Sequence, residues 1–143
     1  MRNFEKYFTE LVTNQKSMNY EELSNLVIKW GEDKGIFAES TPLRQLDKTQ
    51  EELEETKEAL EKLASLKEKD IALEFDFVEC FDTDGEEVEV LEDVKDGIGD
   101  MLVTIVLLAK MVNMDTVDCL QAAYDVIKKR KGKMVDGQFV KNS

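Results

Sequence analysis

Between Gly97 and Ala109 the chain carries one charge, Asp100, and no proline. A helix that apolar is expected to lie against other elements on most of its surface. It is too short to cross a bilayer. The longest apolar run, Met101 to Ala109 with Thr104 inside it, is about half of what a span needs. The segment therefore predicts a core helix, from about Asp93 to Val112, in a mainly α protein. A single proline in 143 residues agrees with that class, because proline breaks helix interiors.

Other segments supply the helices that would wrap it. Phe4, Tyr7, Phe8 and Leu11 recur at helical spacing. A second helix starts near Asn19, a capping residue, with Glu22 placed for a capping box. Its apolar stripe is Leu23, Leu26, Val27 and Trp30. Gly31 and Gly35 open a loop through Ser40. Thr41 and Pro42 then mark a new helix start. That third helix is expected to run from about Leu43 to Lys69, with Leu46, Leu53, Leu60 and Leu63 on one face. Asp115 can cap a last helix with a stripe of Val117, Leu120, Ala123, Tyr124 and Ile127.

Two stretches read as strands. Leu73, Phe75 and Phe77 alternate with acids, Asp84-Gly85 supplies a turn, and Val88 and Val90 alternate with Glu87 and Glu89. This predicts an acidic β-hairpin insertion at 72–91. A second, short C-terminal hairpin is expected at 133–141, around Asp136-Gly137. The whole, 1–143, reads as one domain.

Charge narrows the function classes. The formal net charge is −13, with no histidine. Nucleic acid and anionic membrane would repel such a chain, so neither is expected as a partner. Triads and zinc sites that need histidine are excluded. The charge is also bipolar. Residues 74–100 hold twelve acids against Lys95 alone, a local −11, and residues 128–141 carry +5. Cys80 and Cys119 lack metal or redox spacing, and the N-terminal stretch lacks the apolar core of a signal peptide. A reduced, cytoplasmic setting is the simple expectation.

Two acidic constellations can carry chemistry. Glu52 and Glu55 are one turn apart on the third helix, with Glu51 and Glu58 beside them. Taken alone, such a row is a solvated face or a coiled-coil flank, and the leucines at heptad spacing permit the latter. Asp96 and Asp100 are likewise one turn apart, on the apolar helix. If they face inward they need compensation, because an unpaired buried charge is prohibitive. Either a cation bridges them, or a basic side chain of another helix does. Two helices that each project two carboxylates can form a Mg²⁺ or Mn²⁺ cage. Lys128, Arg130 and Lys131 could then neutralise phosphate oxygens.

At these residues the chain resembles the MazG-like nucleoside triphosphate pyrophosphohydrolases, of the all-α NTP pyrophosphatase superfamily, and within them the short phage-type branch. The likeness rests on Glu52-Leu-Glu-Glu55 within Lys48-x-x-Glu-Glu-x-x-Glu55, and on Asp96-x-Ile-Gly-Asp-x-Leu-Val103. The lead-in Trp30-Gly-Glu-Asp-Lys-Gly35-Ile36 and the run Ala123 to Gly137 extend it over roughly residues 25–141. The resemblance implies a MazG-like helical bundle. It implies hydrolysis of a (d)NTP to monophosphate and pyrophosphate by metal-activated water, and a homodimer or homotetramer. It implies Glu52, Glu55, Asp96 and Asp100 as metal ligands, and Glu51 or Glu55 as the group that orients water. Trp30, Lys48, Asp125, Lys128, Arg130 and Lys131 are the substrate-binding candidates. Where the family usually has a Glu, three before the last Asp, this chain has Gly97, and Asp96 is the expected stand-in. The competing expectation is a non-enzymatic acidic interaction protein, or an inactive member that binds nucleotide.

Overall fold

The computed structural model describes residues 17–69 and 85–142. It is mainly helical with a small antiparallel hairpin at the C-terminal end. Helix α1 spans Tyr20–Asp33, the short α2 Ile36–Glu39, α3 Pro42–Lys69, α4 Gly85–Met111 and α5 Thr116–Ile127. Strands β1 (Gly132–Val135) and β2 (Gln138–Lys141) close the chain.

Local chemistry sets these boundaries. The Asn19 side chain accepts from the Glu22 amide at 2.8 Å and starts α1. Thr41 Oγ1 accepts from the Arg44 amide at 3.2 Å at the start of α3. Asp115 accepts from the Val117 amide at 2.7 Å and starts α5. Each satisfies an amide that the first helical turn leaves without a partner. In the terminal hairpin, Asp136 and Gly137 both have positive φ, 49° and 78°. That is the two-residue turn for which Asp-Gly is suited.

The architecture rests on α3 and α4, which pack along their length. They run antiparallel: Thr49 meets Thr104, and seven residues further along α3, Thr56 meets Gly97. The two threonine hydroxyls, Thr49 and Thr104, bond across the seam at 2.7 Å. Thr56 returns its hydroxyl to the Glu52 carbonyl at 2.6 Å. At Gly97 the helices pass so closely that a Cβ would overlap Thr56 Oγ1 and come within 3.1 Å of Thr56 Cβ. Among the described residues, Leu63, Val90, Val106, Leu107 and Ala109 are the buried apolar ones. Helix α1 crosses α4, while α5 bends away from it by 99° and barely touches it. Tyr20 Oη and Thr116 Oγ1, 2.8 Å apart, tie the start of α1 to the start of α5.

Three expectations are corrected. The hairpin at 72–91 is not formed in its second half: residues 85–91 are the first turns of α4. Glu87 and Val90 are buried one turn apart, the spacing of a helix packed on one side. The remainder of that stretch, and the helix expected at Phe4–Leu11, lie outside the described residues. Second, Ile36–Glu39 is a helical turn within the expected loop. Third, α4 is not covered all round. Ile98, Leu102 and Ile105 are exposed, as are Asp96 and Asp100. The expected core stripes elsewhere also face out: Leu23, Leu26 and Trp30 on α1, and Leu46, Leu53 and Leu60 on α3. The elements among the described residues leave one side of the α3–α4 pair exposed. No single helix among the described residues is long and apolar enough to cross a membrane.

The close crossing generates a test. Gly97→Ala gains about 1 kcal/mol of helix propensity but overpacks the seam, which typically costs about 1–3 kcal/mol. With Thr56 in direct overlap, a net loss is expected in urea unfolding. The loss should shrink in the Thr56→Ala background, a coupling read by a double-mutant cycle. A stabilising Gly97→Ala would show that the helices do not meet there.

Candidate acidic cleft

Beside the Thr56–Gly97 crossing, α3 and α4 diverge into an open cleft of about 360 Å³. Helix α3 contributes Glu52, Glu55 and Glu58 to its walls, and α4 contributes Asp93, Asp96 and Asp100. The antiparallel register explains the pairing. Three and four residues make one turn, so each acidic row lies along one flank of its helix. The turn at which the helices touch puts the two flanks opposite each other. All four carboxylates expected as metal ligands thus line one cleft.

Their environments differ. Glu52 is the buried one, with 8% of its surface exposed, whereas Glu55, Asp96 and Asp100 are exposed at the rim. This reverses the sequence-based reading, in which the acids of α4 were the buried ones. Lys48 neutralises Glu52, with Nζ 3.2 Å from its carboxylate and 2.8 Å from that of Glu51. Those two hydrogen bonds, Glu51 first, hold the Lys48 ammonium well above the ordinary lysine value. The pair's contribution to stability is therefore fully present below the ordinary lysine pKa. It is lost only as pH rises through the raised value. Half of the Lys48 side chain is in solvent, so that contribution is small.

Gly97 is where the family resemblance expects a glutamate, and the structure gives a reason for its absence. A Cβ at Gly97 would overlap Thr56 Oγ1, so a side chain there would require Thr56 to shift. The carboxylates of α4 therefore sit one position aside, at Asp96, and one turn earlier, at Asp93. Asp93 is a lining residue that sequence reasoning missed. Its signal was present as a third acid at helical spacing in the row Asp93, Asp96, Asp100. The expected hairpin, ending nearby, obscured it. Lys62 also lines the cleft and was likewise missed.

The other candidates lie elsewhere. Glu51 is not a lining residue; its side chain is 62% exposed and bonded to Lys48. Lys48 serves the two glutamates. Trp30 is exposed on α1 and does not line the cleft. Asp125 accepts from Lys128 Nζ at 2.6 Å and from Gln121 at 3.2 Å, both on the outside of α5. Lys128 also sits over the Tyr124 ring at 5.5 Å. Neither these residues nor Arg130 and Lys131 reach the cleft of their own chain.

The donor set suits a hard divalent cation, since carboxylate oxygens are what Mg²⁺ and Mn²⁺ prefer. As placed, however, no group of three or more possible ligands among the described residues closes on one point. The acids line the cleft without converging. Holding a cation would require their side chains to rotate inward. No family model, curated protein or solved structure matches the chain.

Repulsion in the cleft is measurable. With chelator present, Glu55→Gln or Asp100→Asn should raise the melting temperature slightly, by the roughly 0.2–0.5 kcal/mol of a relieved like-charge pair. With Mg²⁺ the wild type should gain stability and these variants should gain much less. Equal Mg²⁺ responses in all three would remove the case for a cation site.

Proposed function

We propose that the chain is a MazG-like, Mg²⁺-dependent (d)NTP pyrophosphohydrolase, releasing nucleoside monophosphate and pyrophosphate. One observation carries the reading. Glu52 and Glu55 from α3, and Asp96 and Asp100 from α4, are more than forty positions apart in sequence and line a single cleft. Mn²⁺ is the alternative cation.

A cleft of about 360 Å³ is at the small end for ligand sites. It suits a polyphosphate better than a whole nucleotide, so the nucleoside would extend beyond it. A bound divalent cation would supply charge neutralisation at phosphate oxygens and a more acidic water. Glu52, Glu55, Asp96 and Asp100 would hold it, with Asp93 within the same row. Glu55, exposed at the rim, would be the group that orients a water toward the α-phosphorus. Glu51 is turned toward Lys48 and is not assigned that task. Lys48 keeps Glu52 in its place on the seam.

The reading includes self-association through a second copy of the chain. Leu46, Leu53 and Leu60 on α3, and Ile98, Leu102 and Ile105 on α4, are apolar rows 40–53% exposed on the two main helices. Among the described residues, five buried apolar side chains are a small core for helices of this length. Packing two such pairs together would make a four-helix core. A homodimer is the minimum and a homotetramer is compatible. The same exposed rows suit a non-enzymatic interaction protein. Such a protein would release no pyrophosphate and would respond to salt in general.

Turnover and mass test the two halves of this reading. Glu52→Ala and Asp100→Ala should each lower (d)NTP turnover about a hundred- to a thousandfold while the helical signal persists, the scale of losing a principal electrostatic group; undiminished turnover in both would refute the assignment. Leu53→Glu with Leu60→Glu should shift the sedimenting species toward a monomer of 16.4 kDa. An unchanged mass would place the interface elsewhere.

A further inference from the structure

We propose that the C-terminal hairpin is a docking arm, seated on the acidic flank of α4 in a second copy of the chain, each copy giving one arm and receiving one. This rests on the self-association included in the reading above and is independent of hydrolysis. It starts from a hairpin that its own chain leaves uncovered. All eight residues of β1 and β2 are exposed. The strands pair with each other and barely touch the helices. Yet their composition is not that of a solvated loop. Met134 is opposite Phe139 on one face of the pair, and Val135 and Val140 share the other. These four side chains are 40–64% exposed. The Phe139 ring lies over Gly132, where a Cβ would overlap it. A lone two-stranded hairpin is marginally stable in water, so one with apolar side chains on both faces needs a surface to rest on.

Charge complementarity identifies that surface as a second copy. Residues 128–141 carry +5 and the rest of the chain −18. Such an arm is repelled by other arms and attracted by the body of another copy. Within that body the exposed acids Glu86, Glu89, Asp93, Asp96 and Asp100 follow at steps of three and four residues, one stripe along α4. The stripe is about 21 Å long at 1.5 Å per residue. A four-residue strand spans about 13 Å, so the hairpin fits along it. Val88, half exposed on the same helix, adds apolar surface there. In its own chain the arm lies apart from this stripe. Helix α5 bends away from α4 by 99°, and none of residues 128–141 lines the cleft beside the stripe. Of the arm's bases, Lys128 is held by Asp125 at 2.6 Å; Lys131, Lys133 and Lys141 are on the exposed hairpin or next to it. Reciprocal exchange of arms closes a two-fold dimer.

Sedimentation of the full chain at low ionic strength tests the match at acids outside the cleft. Lys131→Glu with Lys133→Glu, and separately Glu86→Lys with Glu89→Lys, should each weaken self-association about tenfold, the scale of a few exposed ion pairs. An equimolar mixture of the two variants should restore it, because each reversed arm then meets a reversed flank. Arginine at both arm positions should leave it within about twofold of wild type. In the wild type, zero-length carbodiimide coupling of mixed light- and heavy-isotope chains should join Lys131, Lys133 or Lys141 to the α4 stripe of the other copy. Unchanged self-association in both variants, a mixture no stronger than its parts, or coupling confined to single chains each overturns the proposal. If it is overturned while Leu53→Glu with Leu60→Glu still yields monomer, self-association stands without the arm. A wild type monomeric at every concentration removes both. If the arms couple across copies but no (d)NTP is hydrolysed, the enzymatic reading fails and the arm stands.

Discussion

The close approach of Thr56 to Gly97 is the contact on which the rest depends. A helix pair can slide along its seam unless something fixes the register. Here the absent side chain at Gly97 admits Thr56, and the Thr49–Thr104 hydroxyl pair sets a second point two turns away. Two fixed points define both register and rotation. Those in turn place the flank of Glu52 and Glu55 opposite that of Asp96 and Asp100. A slip of one residue would turn an acidic row by about 100° and separate the two walls.

The same contact imposes an electrostatic burden. It brings six carboxylates to one cleft, with Lys48 compensating only the deepest of them. Sites assembled for ligand binding often carry such unrelieved repulsion, and the rest of the fold sustains it. The stability is supplied by buried apolar residues such as Leu63, Val90 and Leu107 and, if the chain self-associates as proposed, by a second copy over the exposed rows. The +5 segment at the C-terminal end does not relieve the cleft of its own chain. Lys128 is paired with Asp125, and α5 bends away from α4.

Much of this was legible in the sequence where the cause is local. Asn19, Thr41 and Asp115 cap helices as their chemistry requires, and Asp136-Gly137 turns the hairpin. Each acidic row, Glu52 with Glu55 and Asp96 with Asp100, was legible from helical spacing. What was not legible depended on which surfaces meet. Val88 and Val90 alternate with glutamates, and period two suggested a strand. In fact Glu87 and Val90 are both buried one turn apart, and that one-sided burial decides for helix. Asp100 in an apolar run suggested a buried charge, but helix α4 is covered on one side only. Gly97 looked like a lost ligand until the crossing showed that a side chain there would meet Thr56. Trp30 and the basic residues of 128–131 carried plausible chemistry, yet sequence spacing says nothing of where α1 and α5 point.

The most direct test is hydrolysis of a (d)NTP by the wild-type chain with Mg²⁺ in heavy-oxygen water, followed by mass analysis of both products. Attack on the α-phosphorus predicts label in the nucleoside monophosphate and unlabelled pyrophosphate. Orthophosphate as the first product, label in the pyrophosphate, or no hydrolysis of any (d)NTP would contradict the proposed activity.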